Sequence, residues 1–534
     1  MSADQPLHEY LRANARQRPD QAAVIWYGHA ITWRELDDWS DALGAHLQGI
    51  GVAQGDPVAL FMNNCPQYIV AHYAIQKIGA IVCPCGPLNK AHELQYQLDD
   101  LGARVIIAAD NLLPIVDQVR ADTALTHVLA ARYGELLPAE PDLPVPPEIQ
   151  GAPAPLPPGC GDMLQIARTG AQAGVRPTPV AISMDDVALM TYTSGTTGLP
   201  KGAMLSFGNA LFKTRVTVGN FGLTPDSLAL SIAPLYHIAG MLMGVNLPIY
   251  AGTTQVLLFR FDPATVLQAI AQYRVTHWYS IAPMNVACMQ VPGAERFDLR
   301  SLQRNPSTSF GISFTEALAR QWEAFTGGPC VSHEAAYGLS ETHTMDSGMP
   351  HDAIRWGTHG KPMPGVTIRI VDPETGVEKA AGEVGEITLR SPGNFKGYWK
   401  KPEATAKTLK DGWVWTGDMG KLDAEGYLTF IGRTKEMIKV SGYSVFPEEV
   451  ETILIKHPAI AQAAALAEPD AEKGEVVKAF IVTKAGASLT ADELVVWCRD
   501  NMAPYKVPRH VRFIDALPAT GSGKVLRRLL KDAA

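Results

Sequence analysis

Short apolar runs alternate with longer amphipathic stretches through the first part of the chain, and this alternation limits the fold more than any other feature. The predicted strands are Ala22–Trp26, Pro57–Met62, Ala80–Pro84 and Ala103–Ala108, and the helical stretches between them are Thr32–Leu47, Pro66–Ile78 and Lys90–Leu101. Strands that are separated by helices pair in parallel, because the helical crossover returns the chain to the same end of the sheet. The sequence therefore predicts an α/β fold built on parallel sheet.

The remainder of the chain divides into regions of different pattern. A stretch rich in proline and glycine, Pro144–Pro179, has no clear periodicity and is predicted to be a surface connection. Strand–helix alternation resumes from Asp186 to about Ile370, and Val371–Ile431 is typical of short strands joined by tight turns.

The last hundred residues are predicted to form a separate α+β unit. One helix is expected to begin at Pro447, and another at the capping box formed by Thr490 and Glu493. We place the boundary near Lys435, which gives predicted domains of residues 1–434 and 435–534.

Composition and charge exclude several classes of function. Lys and Arg number 46 and Asp and Glu 54, so the net charge is −8, which argues against nonspecific binding to nucleic acid or to an anionic membrane. Hydrophobic residues make up 46% of the chain, which excludes a wholly disordered protein. Seven scattered cysteines do not form a disulfide framework and fit a reducing compartment.

No segment of the sequence predicts an integral membrane protein. The N-terminal stretch carries charges where a signal peptide is apolar, and it is typical of an amphipathic helix. The most apolar segment, Ala233–Gly252, contains His237 and Asn246 and is predicted to wall a large buried apolar cavity. We therefore expect a soluble, cytoplasmic protein, and the sequence leaves monomer and homodimer both open.

The strongest chemical pattern is YTSGTTGLPKG at residues 192–202, which follows an apolar strand. Its glycines, threonines and serine supply backbone N–H groups and hydroxyls that can surround a polyphosphate, and Lys201 adds a positive charge. It is not a Walker A loop, because Pro200 and Gly202 stand where that motif needs glycine and a hydroxyl residue. A phosphate-binding loop is therefore predicted at residues 193–201.

This loop resembles the signature of the adenylate-forming superfamily, which includes acyl-CoA and aryl-CoA synthetases, peptide-synthetase adenylation domains and firefly-type luciferases. Further motifs similar to those of this family follow in order: PLYHIAG (234–240), YGLSET (337–342), WTGD (415–418), GRTKEMIKVSG (432–442) and PATGSGK (518–524). The resemblance implies a large N-terminal region of two αβ subdomains plus a β-rich subdomain. A small mobile α+β C-terminal domain, moving about Lys435, follows it.

The resemblance also implies a role for individual residues. Nucleotide contacts are expected from Thr193, Ser194, Gly195, Thr196, Thr197, Gly198, Tyr337, Gly338, Thr342, Asp418, Arg433 and Gly442. Tyr337 is expected to stack on adenine, Thr342 to donate to the α-phosphate, and Asp418 with Arg433 to hold the ribose. Glu341 with Thr193 is expected to hold Mg²⁺. The implied catalytic residues are Lys524, Lys201, His237 and Lys439.

The expected activity is that of an acyl-CoA synthetase that uses ATP, Mg²⁺ and coenzyme A. Candidate pocket residues are Ile238, Ala239, Gly240, Met241, Met243, Ser280, Ala282 and 309–313. This lining is apolar and predicts a medium- or long-chain fatty or alicyclic acid, with an aryl acid as the alternative. Gly240→Trp is expected to exclude long acids. Loading of a carrier-protein phosphopantetheine, luciferase-like oxidation and a catalytically inactive nucleotide-binding protein are the rival functions.

Overall fold

The structure is a computed structural model that describes residues 4–151, 155–193, 199–309, 312–440, 443–470, 474–519 and 525–532. Its helices are α1 (Leu7–Gln17), α2 (Trp33–Gly49), α3 (Pro66–Lys77), α4 (Ala91–Leu101), α5 (Leu113–Arg120), α6 (Met163–Gln172), α7 (Phe207–Phe221), α8 (Ile238–Met241), α9 (Leu247–Ala251), α10 (Pro263–Tyr273), α11 (Ala282–Met289), α12 (Glu316–Thr326), α13 (Pro402–Thr408), α14 (Pro447–Leu454), α15 (Ala491–Asn501) and α16 (Arg527–Asp532).

The strands form five separate sheets within the described residues. They are β1 (Ala22–Trp26), β2 (His29–Thr32), β3 (Pro57–Phe61), β4 (Ile81–Cys85), β5 (Val105–Ala109), β6 (His127–Ala131), β7 (Cys160–Asp162), β8 (Val187–Thr193), β9 (Lys201–Ser206), β10 (Leu228–Ser231), β11 (Thr254–Leu257), β12 (His277–Trp278), β13 (Ser280–Ile281), β14 (Arg304–Thr308), β15 (Val331–Glu334), β16 (Ala336–Tyr337), β17 (Ser347–Gly348), β18 (Lys361–Pro362), β19 (Thr367–Val371), β20 (Gly385–Arg390), β21 (Gly397–Tyr398), β22 (Leu409–Lys410), β23 (Trp413–Leu422), β24 (Leu428–Arg433), β25 (Ile438–Val440), β26 (Tyr443–Val445), β27 (Ile460–Asp470), β28 (Gly474–Thr483) and β29 (His510–Phe513).

Two large sheets form the framework of the first part of the chain. One has the order β21-β9-β8-β4-β3-β5-β6-β7, and its strands from β8 to β7 pair in parallel. The other has the order β13-β14-β12-β10-β11-β1-β2, with β15 added beside β14, and only β2 pairs antiparallel. The prediction of parallel sheet with helical crossovers is confirmed, and β1 has the predicted bounds.

Local signals set where the helices begin. Thr32 accepts a hydrogen bond from the backbone N–H of Glu35, whose carboxylate accepts one from the N–H of Thr32, so α2 starts with a capping box. The predicted capping box at Thr490 has the same geometry at the start of α15. All residues of α3 are buried, and Tyr73 within it donates to the carbonyl of Val245. Helix α3 therefore lies in the interior, against the segment that leads into α9.

The prediction of a surface connection at Pro144–Pro179 is wrong for the second half of that stretch. Strand β7 pairs with β6 there, and α6 follows its N-cap residue Asp162, whose carboxylate accepts from the backbone N–H of Gln165. Met163, Leu164 and Ala167 are buried. A buried stripe of only three residues is too short for periodicity to reveal beside so many prolines and glycines.

The β-rich part and the last part of the chain have separate sheets. Strands β19, β20, β23 and β22 form one antiparallel sheet with β24 beside β23, as the pattern of Val371–Ile431 predicts. Strands β26, β25, β28 and β27 form another with β29 beside β28. The chain passes from one sheet to the other between Arg433 and Ile438, the interval that contains the predicted boundary. The β-rich sheet shares the large buried cluster of the first part of the chain, and the last sheet has a separate one.

In the apolar segment 233–252, residues 238–251 are helical and mostly buried, with a π-helical stretch at Leu242–Asn246 between α8 and α9. A Cβ atom added to Gly240 would lie 2.0 Å from the carbonyl oxygen of Pro234. Gly240 therefore packs against backbone, and its interpretation as a residue that faces the acyl chain is corrected. Within the described ranges, no helix has the length and apolar character needed to cross a membrane.

We expect Gly240→Ala to destabilise the protein by about 2–4 kcal/mol, because Pro234 is backbone and cannot move aside cheaply. Gly219→Ala is the matched control: Gly219 lies within α7, and an added Cβ there meets nothing within 4 Å. The control should keep or slightly raise the urea midpoint, since alanine favours helix over glycine by about 1 kcal/mol. Equal midpoints for the two variants would contradict this packing.

Candidate active site

The predicted phosphate loop joins two strands at the edge of the parallel part of its sheet. Strands β8 and β9 are antiparallel, with Thr193 paired to Lys201 in the register. The loop residues Ser194, Gly195, Thr196, Thr197 and Gly198 lie outside the described residues. The two ends of the loop are therefore held together by the strand pair, and Thr193 and Lys201 mark its mouth.

A tyrosine brings Lys201 and Glu341 together at this mouth. The ammonium of Lys201 lies 4.5 Å from the centre of the Tyr398 ring, and the Tyr398 hydroxyl donates to Glu341 Oε1 at 2.6 Å. Tyr398 belongs to β21, which pairs with β9. Burial, reinforced by the charge of Glu341, raises the pKa of Tyr398 above its ordinary value, so the phenol stays protonated and donates. Sequence reasoning missed Tyr398, because no motif marked it.

The Glu341 carboxylate is suited to be a ligand of a magnesium ion. Its Oε1 atom accepts from Tyr398, while Oε2 has no hydrogen-bond donor among the residues the structure describes. Mg²⁺ in nucleotide sites takes one or two carboxylates and completes its shell with phosphate oxygens and water. No group of three or more His, Cys, Asp or Glu that could hold a metal occurs in the described part of the chain. One free carboxylate oxygen beside a lysine fits a phosphate-bound Mg²⁺.

A second group joins Tyr337, Asp418 and Arg433. The hydroxyl of Tyr337 donates to Asp418 Oδ2 at 2.7 Å, and Arg433 Nε lies 3.1 Å from Asp418 Oδ1. Asp418 and Arg433 are cross-strand partners in β23 and β24. Burial lowers the pKa of Arg433, but the carboxylates of Asp418 and Glu436 more than offset this and raise it. The three predicted residues therefore form one charged, hydrogen-bonded group.

The aspartate is aimed by its own turn. The Thr416 hydroxyl accepts from the backbone N–H of Asp418 and donates to the carbonyl of Ile387. Gly417 has φ +70°, which glycine adopts without strain, and its N–H donates to Glu386 Oε1 at 2.9 Å. Thr416 and Gly417 thus explain why Thr-Gly-Asp carries the buried carboxylate. Tyr337 stacks on Phe430, so adenine stacking on Tyr337 stays a prediction.

Three consecutive residues after YGLSET have left-handed backbone. His343, Thr344 and Met345 have φ values of 57°, 55° and 52°. Each costs about 1–2 kcal/mol in this conformation, because its Cβ approaches the following carbonyl. The turn brings the backbone of Met345 against Gly338, where an added Cβ would lie 2.4 Å from Met345 N. Gly338 is therefore required by this close approach.

A buried ion pair holds the strained turn. Lys213 of α7 lies 2.6 Å from Asp346 Oδ1 and also donates to the carbonyl of Met345 at 3.2 Å. Both side chains are 0% exposed. Burial lowers the pKa of Lys213 and raises that of Asp346, and the mutual attraction opposes both shifts. No motif drew attention to either residue.

Thr342 is engaged by the same pair. Its side chain is buried, and its hydroxyl donates to Asp346. A hydroxyl has one proton, so Thr342 would have to give up this bond before donating to a phosphate. The adjacent Ser340 is half-buried next to Glu341, and its hydroxyl has no hydrogen bond to another described residue. Donation from Thr342 to the α-phosphate therefore stays a prediction, and Ser340 is a second hydroxyl next to Glu341.

A buried carboxyl at the end of β15 supports a neighbouring loop. Glu334 accepts from the backbone N–H and from the hydroxyl of Ser309, and the Ser309 hydroxyl oxygen accepts from Phe314 N. Burial raises the pKa of Glu334 to about 7. Ser309 opens the predicted pocket segment, of which Phe310 and Gly311 lie outside the described residues. Ser280 and Ala282, which are also predicted to line the pocket, are buried. The Ser280 hydroxyl donates a hydrogen bond to Asn285 Oδ1.

The remaining predicted site residues are not part of the two groups around Tyr398 and Asp418. His237 caps α8, with its Nδ1 accepting from Ala239 N at 3.4 Å. Lys439 is exposed on β25, and its backbone N–H donates to Glu475. Lys524 and Gly442 lie outside the described residues, although Ala519 and Val525 on either side of Lys524 pair as an antiparallel bridge.

A cluster of charges ties the end of the chain to the predicted hinge. Arg527 contacts three carboxylates, those of Glu436, Glu448 and Glu451. Glu436 follows Lys435 directly, and Arg527 comes three residues after Lys524. Burial raises the pKa of Glu448 to about 7 against the opposing charge of Arg527. Arg527 therefore joins α16 to the residues where the chain passes from one sheet to the other.

Comparison with known proteins shows the family of this chain. The AMP-binding enzyme family matches residues 11–399, and the C-terminal domain of AMP-binding enzymes matches residues 449–524. The chain belongs to the AMP-binding enzyme family.

Relatives and solved structures place this family member in the acyl-CoA synthetase branch. The long-chain-fatty-acid–CoA ligase of Bacillus subtilis (strain 168) is 33% identical over 98% of this chain and 94% of that protein. The feruloyl-CoA synthase of an Amycolatopsis species is 34% identical over 96% of each. An anthranilate CoA ligase solved with anthranoyl-AMP superimposes with a TM-score of 0.85 and 27% identity over 100% of this chain and 98% of that one. The family implies ATP and coenzyme A as substrates.

We expect Lys213→Met to destabilise the enzyme by about 3–5 kcal/mol, because it leaves the buried carboxylate of Asp346 without its partner. The double variant Lys213→Met/Asp346→Asn should recover a large part of this loss, since it buries no unpaired charge. Urea midpoints measure both. Lys396→Met is the control, because Lys396 pairs with Asp185 at the surface and should change stability by less than about 1 kcal/mol. A double variant no more stable than the single one would contradict a buried ion pair.

The raised pKa of Glu334 predicts a pH-dependent stability. Between its ordinary value of 4.5 and its folded value of about 7, the unfolded chain has lost a proton that the folded chain keeps. The stability contributed by this group is therefore full below the lower value and is lost as pH rises to the upper one, by roughly 3 kcal/mol. Glu334→Gln should show a smaller fall of the urea midpoint between about pH 5 and about pH 8 than the unchanged protein. Identical pH profiles would mean that Glu334 titrates normally.

Proposed function

We propose that this enzyme activates a hydrophobic carboxylic acid with ATP and Mg²⁺ and transfers the acyl group to coenzyme A. The observation that carries the proposal is the meeting of Lys201 and Glu341 on Tyr398 at the mouth of the 194–198 loop. An ammonium and a carboxylate that contact the same tyrosine at the end of a glycine-rich loop suit a metal-bound polyphosphate.

In the first half-reaction, a carboxylate oxygen of the acid attacks the α-phosphorus, a new P–O bond forms, and pyrophosphate leaves. The two reactants are both anions, so the chain must place positive charge between them. Lys201 is proposed to place its charge beside the phosphates at the loop, and Lys524 is proposed to place its charge beside the carboxylate of the acid. Mg²⁺, held by Glu341 with Thr193, would neutralise further phosphate charge. Asp418 and Arg433 are proposed to orient the ribose.

In the second half-reaction, the thiol of coenzyme A attacks the acyl carbonyl, and AMP leaves. Lys524 is not needed there, since the anhydride is already activated. We propose that residues 435–534 form the mobile domain that turns about Lys435 and brings Lys439 and Gly442 to the site. The separate sheets and cores on either side of residues 434–437 support this division.

The acid is proposed to be a medium- or long-chain fatty or alicyclic acid. The Bacillus relative, named for long-chain fatty acids, supports this. An aryl acid is the second candidate, and the relative named feruloyl-CoA synthase favours it. Transfer to a carrier protein remains an alternative, and a cytoplasmic location stays a prediction. The test is pyrophosphate release with each acid class, followed by AMP release with coenzyme A and with a carrier protein.

We expect Lys524→Ala to lose acyl-AMP formation by at least about a hundredfold, while coenzyme A still reacts with supplied acyl-AMP. The reason is that positive charge is needed where two anions meet and not where a thiol attacks a mixed anhydride. Single-turnover assays measure each half-reaction. Lys531→Ala, at an exposed position in α16, is the matched control and should retain both. Equal loss of both half-reactions in Lys524→Ala would contradict its assignment.

A further inference from the structure

An open cavity of about 600 Å³ lies in the β-rich part of the molecule, outside the groups around Tyr398 and Asp418. Its walls come from β19, the end of β20, the loop that follows β20, and the hairpin of β22 and β23. Small-molecule sites in proteins have volumes of about 300–1,000 Å³. Its lining includes Arg369, Arg390, Asn394, Phe395, Leu409 and Trp413, and we call it the arginine–tryptophan cavity.

Strand pairing brings two arginines and a tryptophan to this cavity. Arg369 and Arg390 lie on β19 and β20, which are adjacent and antiparallel. Leu389 pairs with Val414, so the next residue of each strand in that register places Arg390 opposite Trp413. The guanidinium of Arg369 lies 4.2 Å from the centre of the Trp413 ring. The register therefore places both guanidinium groups beside one indole ring.

An asparagine joins the walls of the cavity. Its amide group, Asn394 Nδ2, donates to the carbonyls of Leu389 and Gly412, each at 3.1 Å, and its Oδ1 accepts from the Ser391 hydroxyl. These bonds connect the end of β20 to the hairpin turn, and they use both amide protons of Asn394. The ionic groups of the lining that remain for a ligand are the two guanidinium groups.

The charges at the cavity favour a ligand with one negative charge. Arg390 is exposed, and its side chain has no ion pair with another described residue. Arg369 Nε lies 3.5 Å from Glu378 Oε2, but both of these side chains are about half exposed, and such a pair is weak. Lys410 and Asp411, in the turn beside the cavity, carry opposite charges. These five groups leave one net positive charge.

The cavity also offers apolar surface next to the arginines. Phe395 is buried, and Leu409 and Trp413 are half-buried in the same lining. No Asp or Glu is among the described residues of this lining. Removing an apolar body from water against these three side chains is favourable, and the indole ring supplies the largest part of the contact area.

One phenylalanine separates the cavity from the proposed reaction site. The backbone N–H of Phe395 donates to the carbonyl of Glu341 at 2.8 Å. The ring of Phe395 meets that of Tyr398 edge-on, with 4.9 Å between the ring centres. A ligand in the cavity would therefore contact the segment that positions Tyr398, without reaching the groups proposed to bind ATP.

We propose that the arginine–tryptophan cavity binds an organic monocarboxylate with an apolar body, at a second site where the acid does not react. The N–H groups of Arg369 and Arg390 hold the carboxylate, because a guanidinium presents donors in the fork that a carboxylate matches. Leu409, Trp413 and Phe395 contact the apolar body. A carboxylate fits better than a phosphate dianion, whose second charge would stay uncompensated. This site goes beyond the proposed function, which needs one acid at the reaction site.

The test follows binding at Trp413 itself in the full chain. The protein is labelled with 5-fluorotryptophan, and the Trp413 resonance is assigned by its loss in Trp413→Phe. The probes are octanoate, octanamide and inorganic phosphate. We expect octanoate to shift this resonance saturably, and octanamide, which keeps the apolar body without the charge, to need at least about tenfold more. No saturable shift, equal midpoints for octanoate and octanamide, or phosphate binding as tightly as octanoate would overturn the proposal.

Two variants separate this cavity from other places where an acid binds. Arg390→Gln removes one guanidinium group and should raise the octanoate midpoint at least about tenfold. Arg320→Gln is the matched control, because Arg320 is exposed on α12 and pairs there with Glu316 and Glu323. It should keep the midpoint of the unchanged enzyme. Both arginines lie at the surface, so neither variant should unfold the protein, and equal midpoints for the two variants would overturn the proposal.

The outcomes also distinguish this inference from the proposed function. The Trp413 resonance is followed without ATP or coenzyme A. If octanoate shifts it as expected and no acid releases pyrophosphate, the cavity stands and the proposed function fails. If acids release pyrophosphate but Arg390→Gln does not weaken the effect of octanoate on Trp413, the function stands and the second site is wrong.

Discussion

The buried ion pair of Lys213 and Asp346 is the interaction on which the geometry of the site depends. It bonds the carbonyl of Met345 and, through Asp346, the hydroxyl of Thr342. These bonds hold three left-handed residues that would otherwise relax, since each is strained in isolation. A fully buried pair is a poor source of net stability, because desolvation offsets its attraction. Its value here is that it specifies one conformation of the turn.

The left-handed turn at residues 343–345 positions the residues of the YGLSET motif. Its backbone packs on Gly338, so Tyr337 and Glu341 project from a fixed frame. Tyr337 then reaches Asp418, and Glu341 reaches Tyr398. Through these two tyrosines, the turn contacts the β-rich sheet and β21, which pairs with the strand that follows the phosphate loop. One strained turn thus aligns residues from three sheets.

The candidate site and the predicted hinge lie in different parts of this architecture. Asp418, Arg433 and Tyr398 lie on strands of sheets that pack around the large buried core of the first part of the chain. Arg527 instead contacts Glu436, next to the predicted hinge residue Lys435, and Glu448 and Glu451 of α14. If the last domain turns about Lys435 as proposed, Arg527 and these carboxylates would move together.

The sequence by itself determined the strand–helix alternation, the capping boxes at Thr32 and Thr490, and the order of the motifs, because these depend on neighbours a few residues apart. It could not reveal Tyr398, which meets Lys201 and Glu341 only after their strands pair. It misassigned Gly240, where an added Cβ would meet backbone, and it could not show that the Thr342 hydroxyl donates to Asp346. It also passed over Lys213, because a lysine within a helix is expected to be solvated unless packing buries it. Tertiary structure alone decided these points, because burial and long-range partners set the energy of a polar side chain.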